Sequence, residues 1–245
     1  MPEVVLSASP MLKMFASEQQ LMESFIEMAD PALWTRSACD TLIANVHVKT
    51  RFESNCSDGQ ADWVWSASRQ PWQADLCEQS TTLIQNPTCA RILSMLKPSA
   101  PRREEFLQER CGVSEATFRR SMGQLAEVNL IALVNDRGYI LENRASLPNV
   151  EVVAFEFKLE NWKRAFYQAT RYRSFAHRVY VVLPANVAHR CEPMHDAFRV
   201  QNIGLLSHDP EAGGSRILPS NKQAPRSRAN YLKALAMLHE EAAKA

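Results

Sequence analysis

The sequence predicts an α/β protein in which helices flank a mixed β-sheet and a mainly helical segment is inserted. The first observation is "VVAFEFKLENWKRAFYQATRY", residues 152 to 172, which passes from strand-like alternation to helical spacing before the strand-like "RVYVVLP". The second is a pair of hairpin patterns, one around "SDGQ" and one around "PEAGG". The third is a change to mainly helical patterns between residues 86 and 145.

The N-terminal part predicts one helix and one hairpin. Residues 17 to 29 carry apolar side chains at helical spacing, and Ser17 with Gln20 forms a capping box. Residues 42 to 54 and the stretch "ADWVWSAS" are rich in β-branched and aromatic residues and flank the turn signal "SDGQ". These two stretches are predicted to pair as strands.

The central segment predicts three helices followed by a hairpin. "NPTCARILSMLKP" has Pro87 in its first turn and Pro98 after its end, and "PRREEFLQERCG" ends at Gly112. Ser114 caps the third helix, "VSEATFRRSMGQLAEVN", and "LIALVNDRGYILE" predicts the hairpin. This order resembles a winged helix-turn-helix module, roughly residues 86 to 143.

The C-terminal part returns to alternating strands and helices after the linker "NRASLPN". We expect a strand over 151 to 159, a helix over 160 to 174 and the strand "RVYVVLP", which ends at Pro184. A short helix in "HRCEPMHDAFRVQN", a hairpin turning at Glu211 to Gly214 and the helix "SRANYLKALAMLHEEAAKA" complete the chain. The expected domains are therefore 1–85 with 146–245, and the insertion 86–145.

Composition restricts the classes of function. The 245 residues carry a net charge of only +1, so any anion-binding surface must be local. No apolar run is long enough for a membrane span, and the N-terminus lacks a leader pattern, so we expect no membrane partner and a cytoplasmic location. The six cysteines form no CxxC pair, which favours reduced thiols over a zinc site or a disulfide framework.

Two charged residues lie at the end of an otherwise apolar strand. One strand face carries Val153 and Phe155, whereas the opposite face begins with Val152 and ends with Glu156 and Lys158. Open α/β sheets place their ligands at the carboxyl ends of strands. Asp62, which precedes a Trp-Val-Trp run, is a candidate to join these two charges.

Together, "GQADWVW", "AFEFKL", the helix "NWKRAFYQATRY" and the strand "RVYVVLP" resemble the PD-(D/E)XK nuclease superfamily. The resemblance implies a restriction-endonuclease-like core with Asp62, Glu156, Lys158 and Gln168 in the active site. Asp62 and Glu156 lie 94 positions apart, farther than the family's usual hairpin connection, and the inserted module accounts for the distance. The family often adds an acid from the first helix, for which Glu18, Glu23 and Glu27 are open alternatives.

The resemblance also implies a chemistry, the hydrolysis of DNA phosphodiester bonds with Mg²⁺ or Mn²⁺. Asp62, Glu156 and the backbone carbonyl of Phe157 would bind the ion, which prefers oxygen ligands. Lys158 would orient the attacking water or offset charge on the phosphate. Gln168 could reach the water or phosphate, or equally bond to backbone at the edge of the core.

Candidate DNA contacts come from two regions. The helix after Lys158 is locally basic through Lys163, Arg164, Arg171 and Arg173. In the winged helix, residues near the start of the third helix would approach bases, with Arg137 on the wing. Those residues are Glu115, Thr117, Arg119 and Arg120. Nearby acids nearly cancel the basic charges there, so this module could instead dock a partner.

Other functions remain open at this point. A non-catalytic DNA-binding regulator would use the nuclease fold as a scaffold. An interaction subunit of a defence or recombination complex would need other subunits before it bound nucleic acid. For a nuclease that cuts two strands, the resemblance favours a homodimer.

Overall fold

A computed structural model describes residues 14–35, 47–56, 59–68, 77–134, 137–142 and 150–242. Its strands, in chain order, have the following bounds: β1 His47–Cys56, β2 Gly59–Ser68, β3 Ile131–Leu133, β4 Tyr139–Leu141, β5 Glu151–Phe157, β6 Arg178–Pro184, β7 Gly204–Asp209 and β8 Gly213–Leu218. The α-helices are α1 Glu18–Met28, α2 Glu78–Gln85, α3 Pro87–Met95, α4 Glu104–Cys111, α5 Glu115–Glu127, α6 Trp162–Tyr172, α7 Ala185–Ala188, α8 His195–Gln201 and α9 Arg228–Ala242. The mixed α/β class predicted from the sequence is confirmed.

Within the described ranges, the main sheet has six strands in the order β1-β2-β5-β6-β7-β8. β1 and β2 form the predicted hairpin, and β2 also pairs antiparallel with β5. β5, β6 and β7 run parallel to one another, and β8 returns antiparallel to β7. β2 and β5 are therefore neighbours in the sheet although the whole central segment separates them in sequence.

Helix α1 covers one face of the sheet. Ser17 caps it by accepting a hydrogen bond from the Gln20 backbone N–H, a contact that typically contributes about 1 kcal/mol. Phe25 packs against Phe155 and Phe157 of β5, with ring centroids 6.2 and 5.6 Å away. Such aromatic pairs hold the second half of α1 against β5.

The opposite face of the sheet is covered by α6 to α9. Val152 and Ala154 face this side, whereas Val153 and Phe155 face α1, which confirms the predicted division of the strand. Ala165 and Ala169 are the buried residues through which α6 packs closely on the sheet. This packing places the far end of α6 beside β2 and β5.

The central segment has a hydrophobic cluster of its own, built from α2 to α5, Leu130 and β3. Ala236 and Leu232 of α9 also pack on this cluster, so α9 contacts both the central helices and β1. The three helices and the hairpin predicted for this segment are present. Helix α2, which precedes them, was not predicted.

The remaining differences from the sequence predictions are local. β5 ends at Phe157, two residues before the expected end, and the predicted helix in "HRCEPMHDAFRVQN" comprises a 3-10 helix His189–Met194 followed by α8. The last hairpin turns at residues 210–212, since Gly213 already belongs to β8. The described residues do not include three predicted segments: residues 42–46, the linker 143–149, and the turn residues 57–58 and 135–136. In the described ranges, no helix combines the length and apolarity of a membrane span.

Candidate active site

The structure brings Asp62 and Glu156 together across β2 and β5. Trp63 pairs with Phe155 in this antiparallel ladder, so Asp62 lies beside Glu156 one position farther along. Asp62 Oδ2 accepts a hydrogen bond of 2.7 Å from the Phe157 backbone N–H. The Glu156 side chain is fully buried, whereas that of Asp62 is 30% exposed.

Lys158 lies between the two carboxylates. Its Nζ is 3.1 Å from Glu156 Oε1 and 3.9 Å from Asp62 Oδ2. The same ammonium donates to the Phe157 carbonyl oxygen at 2.9 Å, while the Lys158 backbone N–H donates to Val182 of β6 at 3.2 Å. The backbone of Lys158 is therefore anchored to the sheet even though β5 has ended.

Glu18, in the first turn of α1, is the third acid at this site. Its Oε2 accepts a hydrogen bond of 2.9 Å from Lys158 Nζ. Glu23 lies farther along α1 in the wall of an adjoining groove, and Glu27 is exposed one turn beyond. Of the three acids left open by the sequence, Glu18 is thus the one in contact with Lys158.

Tyr172 is a site residue that the sequence reasoning missed. Its buried hydroxyl donates to Glu156 Oε2 and also lies 2.5 Å from the Gln60 carbonyl oxygen of β2. Tyr172 thereby links α6 to both strands that carry the acids. The sequence did contain a signal for it. Tyr172 lies three residues after Ala169 on the apolar stripe of α6, which predicts burial, and a buried tyrosine hydroxyl requires a hydrogen-bond partner.

The environment shifts the pKa values of Glu156, Asp62 and Lys158. Burial, reinforced by the negative charge of Asp62, raises the pKa of Glu156 to about 7. Burial also raises the pKa of Asp62, and this effect exceeds the lowering by the Phe157 N–H and by Lys158. Burial alone would lower the pKa of Lys158, but the charges of Glu156 and Asp62, with the hydrogen bond to Glu18, outweigh it and the net shift is upward.

A groove opens beside these residues. Its walls combine acidic and apolar side chains, and they are Glu18, Gln19, Met22, Glu23, Phe52, Glu53, Asp62 and Phe157. The groove thus gives solvent access to Asp62 and Glu18, while Glu156 lies behind them. Because its charged walls are acidic, a polyanion could approach this end only with cations to offset the repulsion.

Gln168 is less closely connected with the site. Its side-chain Oε1 is buried on α6 and accepts no hydrogen bond from any described residue. It makes no described bond to Asp62, Glu156 or Lys158. Its predicted role in the site stays a prediction.

The candidate DNA-binding residues differ in their surroundings. Lys163, Arg164 and Arg171 are exposed on α6. Arg173 was wrongly grouped with them, because it is 2% exposed and its guanidinium donates to the backbone carbonyls of Ala176 and His177. The requirement to satisfy those carbonyls explains the burial of this charge.

The residues of the third helix of the central segment, α5, are less favourable for binding an anion. Arg119 forms an ion pair of 2.6 Å with Glu115, whereas Arg120 is exposed on the same helix. Thr117 accepts or donates a hydrogen bond to the capping Ser114 at 2.9 Å. Arg137 is exposed beside the β3–β4 turn. Arg119 therefore already has an acidic partner on its own helix.

The donor chemistry at the site fits a hard divalent cation. Asp62 and Glu156 offer carboxylate oxygens, Phe157 offers a carbonyl, and Glu156 Oε1 is buried without a hydrogen bond of good geometry. In the part of the chain that the structure describes, no three acidic, histidine or cysteine side chains are spaced to hold a metal together. Two carboxylates and a carbonyl suit Mg²⁺, which keeps several waters. For the Phe157 carbonyl to bind the ion, the Lys158 ammonium would have to give up its hydrogen bond to that oxygen.

Comparison of the chain with protein-family models, curated proteins and solved structures finds no match. A function can therefore be proposed only from the geometry of the site.

Proposed function

We propose that this protein is a metal-dependent endonuclease that hydrolyses DNA phosphodiester bonds, with a restriction-endonuclease-like core and an inserted winged helix. The observation that carries the proposal is the meeting of residues 94 positions apart: Asp62 lies beside Glu156, with Lys158 Nζ within 3.1 Å of Glu156 and 3.9 Å of Asp62. Two carboxylates on adjacent strands can hold a metal ion for phosphodiester hydrolysis, and a lysine beside them can offset charge on the phosphate.

In this proposal Asp62, Glu156 and the Phe157 carbonyl bind Mg²⁺ or Mn²⁺. When bound, such an ion supplies a water of lowered pKa and offsets charge on the phosphate. Lys158, whose Nζ is 3.1 Å from Glu156 Oε1, orients that water or stabilises the developing negative charge. Tyr172 holds the Glu156 carboxylate in place, and Glu18 holds the Lys158 ammonium.

The alternative of a DNA-binding regulator that works through α5 has less support. One of the two arginines that such a regulator would use, Arg119, is paired with Glu115 on the same helix. The exposed basic residues of α6 lie instead on the element that contacts Glu156 through Tyr172. Nucleic acid bound to α6 would therefore lie on a helix that is connected directly to the candidate site.

The proposal is tested by cleavage assays on labelled linear, supercoiled, branched and single-stranded DNA with Mg²⁺ or Mn²⁺. Asp62→Asn, Glu156→Gln and Lys158→Met should each lower the rate at least about a hundredfold, because each removes a metal ligand or a charge at the reacting phosphate. Glu160→Gln changes an exposed acid near the site and serves as the matched control. It should cleave at the wild-type rate.

Metal binding gives a second measurement that does not depend on finding the right substrate. Mn²⁺ should raise the melting temperature of the wild type, since a ligand that binds only the folded state stabilises it. Asp62→Asn and Glu156→Gln should abolish this rise while Glu160→Gln keeps it. Absence of both cleavage and metal stabilisation in the wild type would refute the proposal.

A further inference from the structure

The outward face of α6 combines positive charge with an exposed aromatic ring. Lys163, Tyr167 and Arg171 follow one another at steps of four residues, and Arg164 lies three residues before Tyr167, so the four lie on one side of the helix. Tyr167 is 70% exposed, one of the most exposed large side chains among the described residues. The opposite side of the helix, with Ala165 and Ala169, is buried in the core.

The positive charges on this face have no acidic partner among the residues that the structure describes. Lys163 makes a cation–π contact with Trp162, with its Nζ 5.6 Å from the ring centroid, and no ion pair joins it to a described carboxylate. No ion pair joins Arg164 or Arg171 to any described carboxylate, and the sequence of α6, "WKRAFYQATRY", contains no acid. This contrasts with Arg119 and Arg199, whose exposed charges are paired within their own helices. The face is therefore complementary to a polyanion.

The face also lies close to the candidate active site. Tyr172, the last residue of α6, contacts Glu156 through its hydroxyl. Arg171 packs over the start of β2, since a Cβ atom added to Gly59 would lie 3.8 Å from Arg171 Cδ. At the other end, α6 begins four residues after Lys158. The exposed face of α6 and the candidate site thus meet at the Arg171–Tyr172 end of the helix.

The exposed ring of Tyr167 indicates which kind of polyanion the face would bind. In a duplex the base faces are stacked within the helix, so an exposed ring between cationic side chains gains little from a duplex beyond contact with its backbone. An unpaired base can stack on such a ring, and the contact is largely independent of sequence. The edge of Phe166, with ring centroids 6.1 Å apart, supports the Tyr167 ring from one side and leaves the rest of it exposed.

We propose that this face of α6 binds single-stranded nucleic acid, with Lys163, Arg164 and Arg171 at the phosphates and Tyr167 stacked on an unpaired base. The inference rests on the proposed nuclease function and deepens it. It assigns to the enzyme a substrate with an unpaired segment, such as a flap, a gap or a single strand, beside the bond that is cut.

The test measures binding in EDTA, so that it does not depend on catalysis. Fluorescence anisotropy compares a labelled oligothymidylate with a blunt duplex of equal length. The wild type should bind the single strand more tightly, and Tyr167→Ala should weaken that binding by about tenfold. Tyr167→Phe should bind the single strand as tightly as the wild type, because the ring is retained. The affinity for the duplex should change little in either variant. A labelled oligouridylate in the same titration shows whether RNA is bound as well.

Two controls isolate the stacking contact. Phe106→Ala removes another exposed aromatic side chain, which is 39% exposed and lies on α4, and should leave binding unchanged. Arg164→Ala should weaken binding and reduce the salt dependence by about 0.7 in log–log slope, the value for one phosphate of a single strand. An unchanged affinity in Tyr167→Ala, or a wild type that prefers the duplex, would overturn the inference.

This result is separable from the test of the nuclease. Wild-type cleavage with normal binding by Tyr167→Ala would refute the stacking and leave the nuclease standing. Tyr167-dependent binding without any cleavage would refute the nuclease and leave a single-strand-binding protein.

Discussion

The hydroxyl of Tyr172 lies between two acceptors, the Glu156 carboxylate and the Gln60 carbonyl, although it carries only one hydrogen. Both acceptors belong to the strands that meet at the candidate site. The hydroxyl is therefore in a position to set the distance between β2 and β5 as well as the rotamer of Glu156.

Tyr172→Phe should lower the affinity for Mn²⁺ by roughly 10- to 100-fold, as loss of an outer contact to a metal ligand typically does. The free energy of unfolding should fall by about 1–2 kcal/mol, because Glu156 Oε2 loses a buried donor. Isothermal titration with Mn²⁺ and urea denaturation measure the two quantities.

Tyr231→Phe is the matched control for this prediction. The Tyr231 hydroxyl also bonds to backbone, donating to the Val150 carbonyl at 2.8 Å and accepting from its N–H at 3.1 Å. Its loss should destabilise the fold to a similar degree without changing metal affinity. Equal Mn²⁺ affinity in both variants would show that Tyr172 is a packing residue only.

The site residues that the sequence revealed are those whose position follows from strand alternation. Glu156 and Lys158 are two residues apart on a strand whose other face is apolar, so their common direction could be predicted. Glu18 and Tyr172 come from helices whose distance from β5 depends on tertiary packing. No local pattern in the sequence distinguishes Glu18 from Glu23 or Glu27. Which of them lies at the site depends on how α1 packs on Phe155 and Phe157.

Among the elements, the β3–β4 hairpin depends on a glycine for its connection to the rest of the central segment. Gly138 has a φ of +115°, and a Cβ atom there would lie 2.2 Å from the Arg102 carbonyl oxygen. Arg102 and Tyr139 exchange backbone hydrogen bonds of 2.8 and 2.9 Å at this point. The close approach of the two backbones leaves no room for a side chain.

Gly138→Ala should therefore lower the free energy of unfolding by about 2 kcal/mol or more, since neither the backbone angle nor the space suits alanine. Hydrogen exchange should show lost protection at the amides of Arg102 and Tyr139. Gly123→Ala is the control, because Gly123 lies in α5 with no atom within 4 Å of an added Cβ. That change should stabilise the protein by about 0.5–1 kcal/mol.

Elements with strong end signals could be predicted, and elements without them could not. Pro87, Ser114 and Gly112 mark helix ends by their backbone chemistry, and the helices they bound are present. Helix α2 begins at Glu78 after Cys77, which provides no side-chain cap, and carries Thr81 and Thr82, which favour strands or turns. Its stability comes from contact with α9, which is 143 or more residues away in sequence.

On the scale of the whole molecule, His177 joins several parts of the fold. Its Nδ1 accepts a hydrogen bond of 3.1 Å from the Val152 backbone N–H of β5, and its ring meets the edge of Tyr231 on α9 at 5.2 Å. Burial, assisted by the charge of Lys222, lowers the pKa of His177 to about 4. The neutral ring is therefore the form that the folded state requires.

This shift predicts a loss of stability in acid. Since the folded pKa lies below the unfolded value of about 6.5, the unfolded state binds the extra proton, and the contribution of His177 is complete above pH 6.5 and lost as the pH falls toward 4. Between pH 7.5 and 5 this loss amounts to about 2 kcal/mol. Urea denaturation of His177→Asn should show a correspondingly smaller pH dependence than the wild type. An identical pH dependence in both proteins would contradict the prediction.

The α/β class could be predicted from the whole sequence because the strand and helix periods alternate clearly after residue 150. The meeting of Asp62 with Glu156 could be proposed only through the family resemblance, since no local signal pairs β2 with β5 across the central segment. The double contact of α9 with the central helices and with β1 was not predictable, because its apolar residues are compatible with either surface.

The long separation of β2 from β5 has a consequence for synthesis on the ribosome. Phe155 leaves the exit tunnel 92 residues after Trp63, its partner in the ladder, which corresponds to about 5–20 s at ordinary rates of translation. During this interval the nascent hairpin carries Trp63 and Trp65 with one unpaired edge, and exposed edges of this kind recruit other chains. Helices α3 to α5, which contact one another locally, can begin to fold while the hairpin waits. A newly made copy thus passes through a stage in which chaperones that bind aromatic segments have their best target.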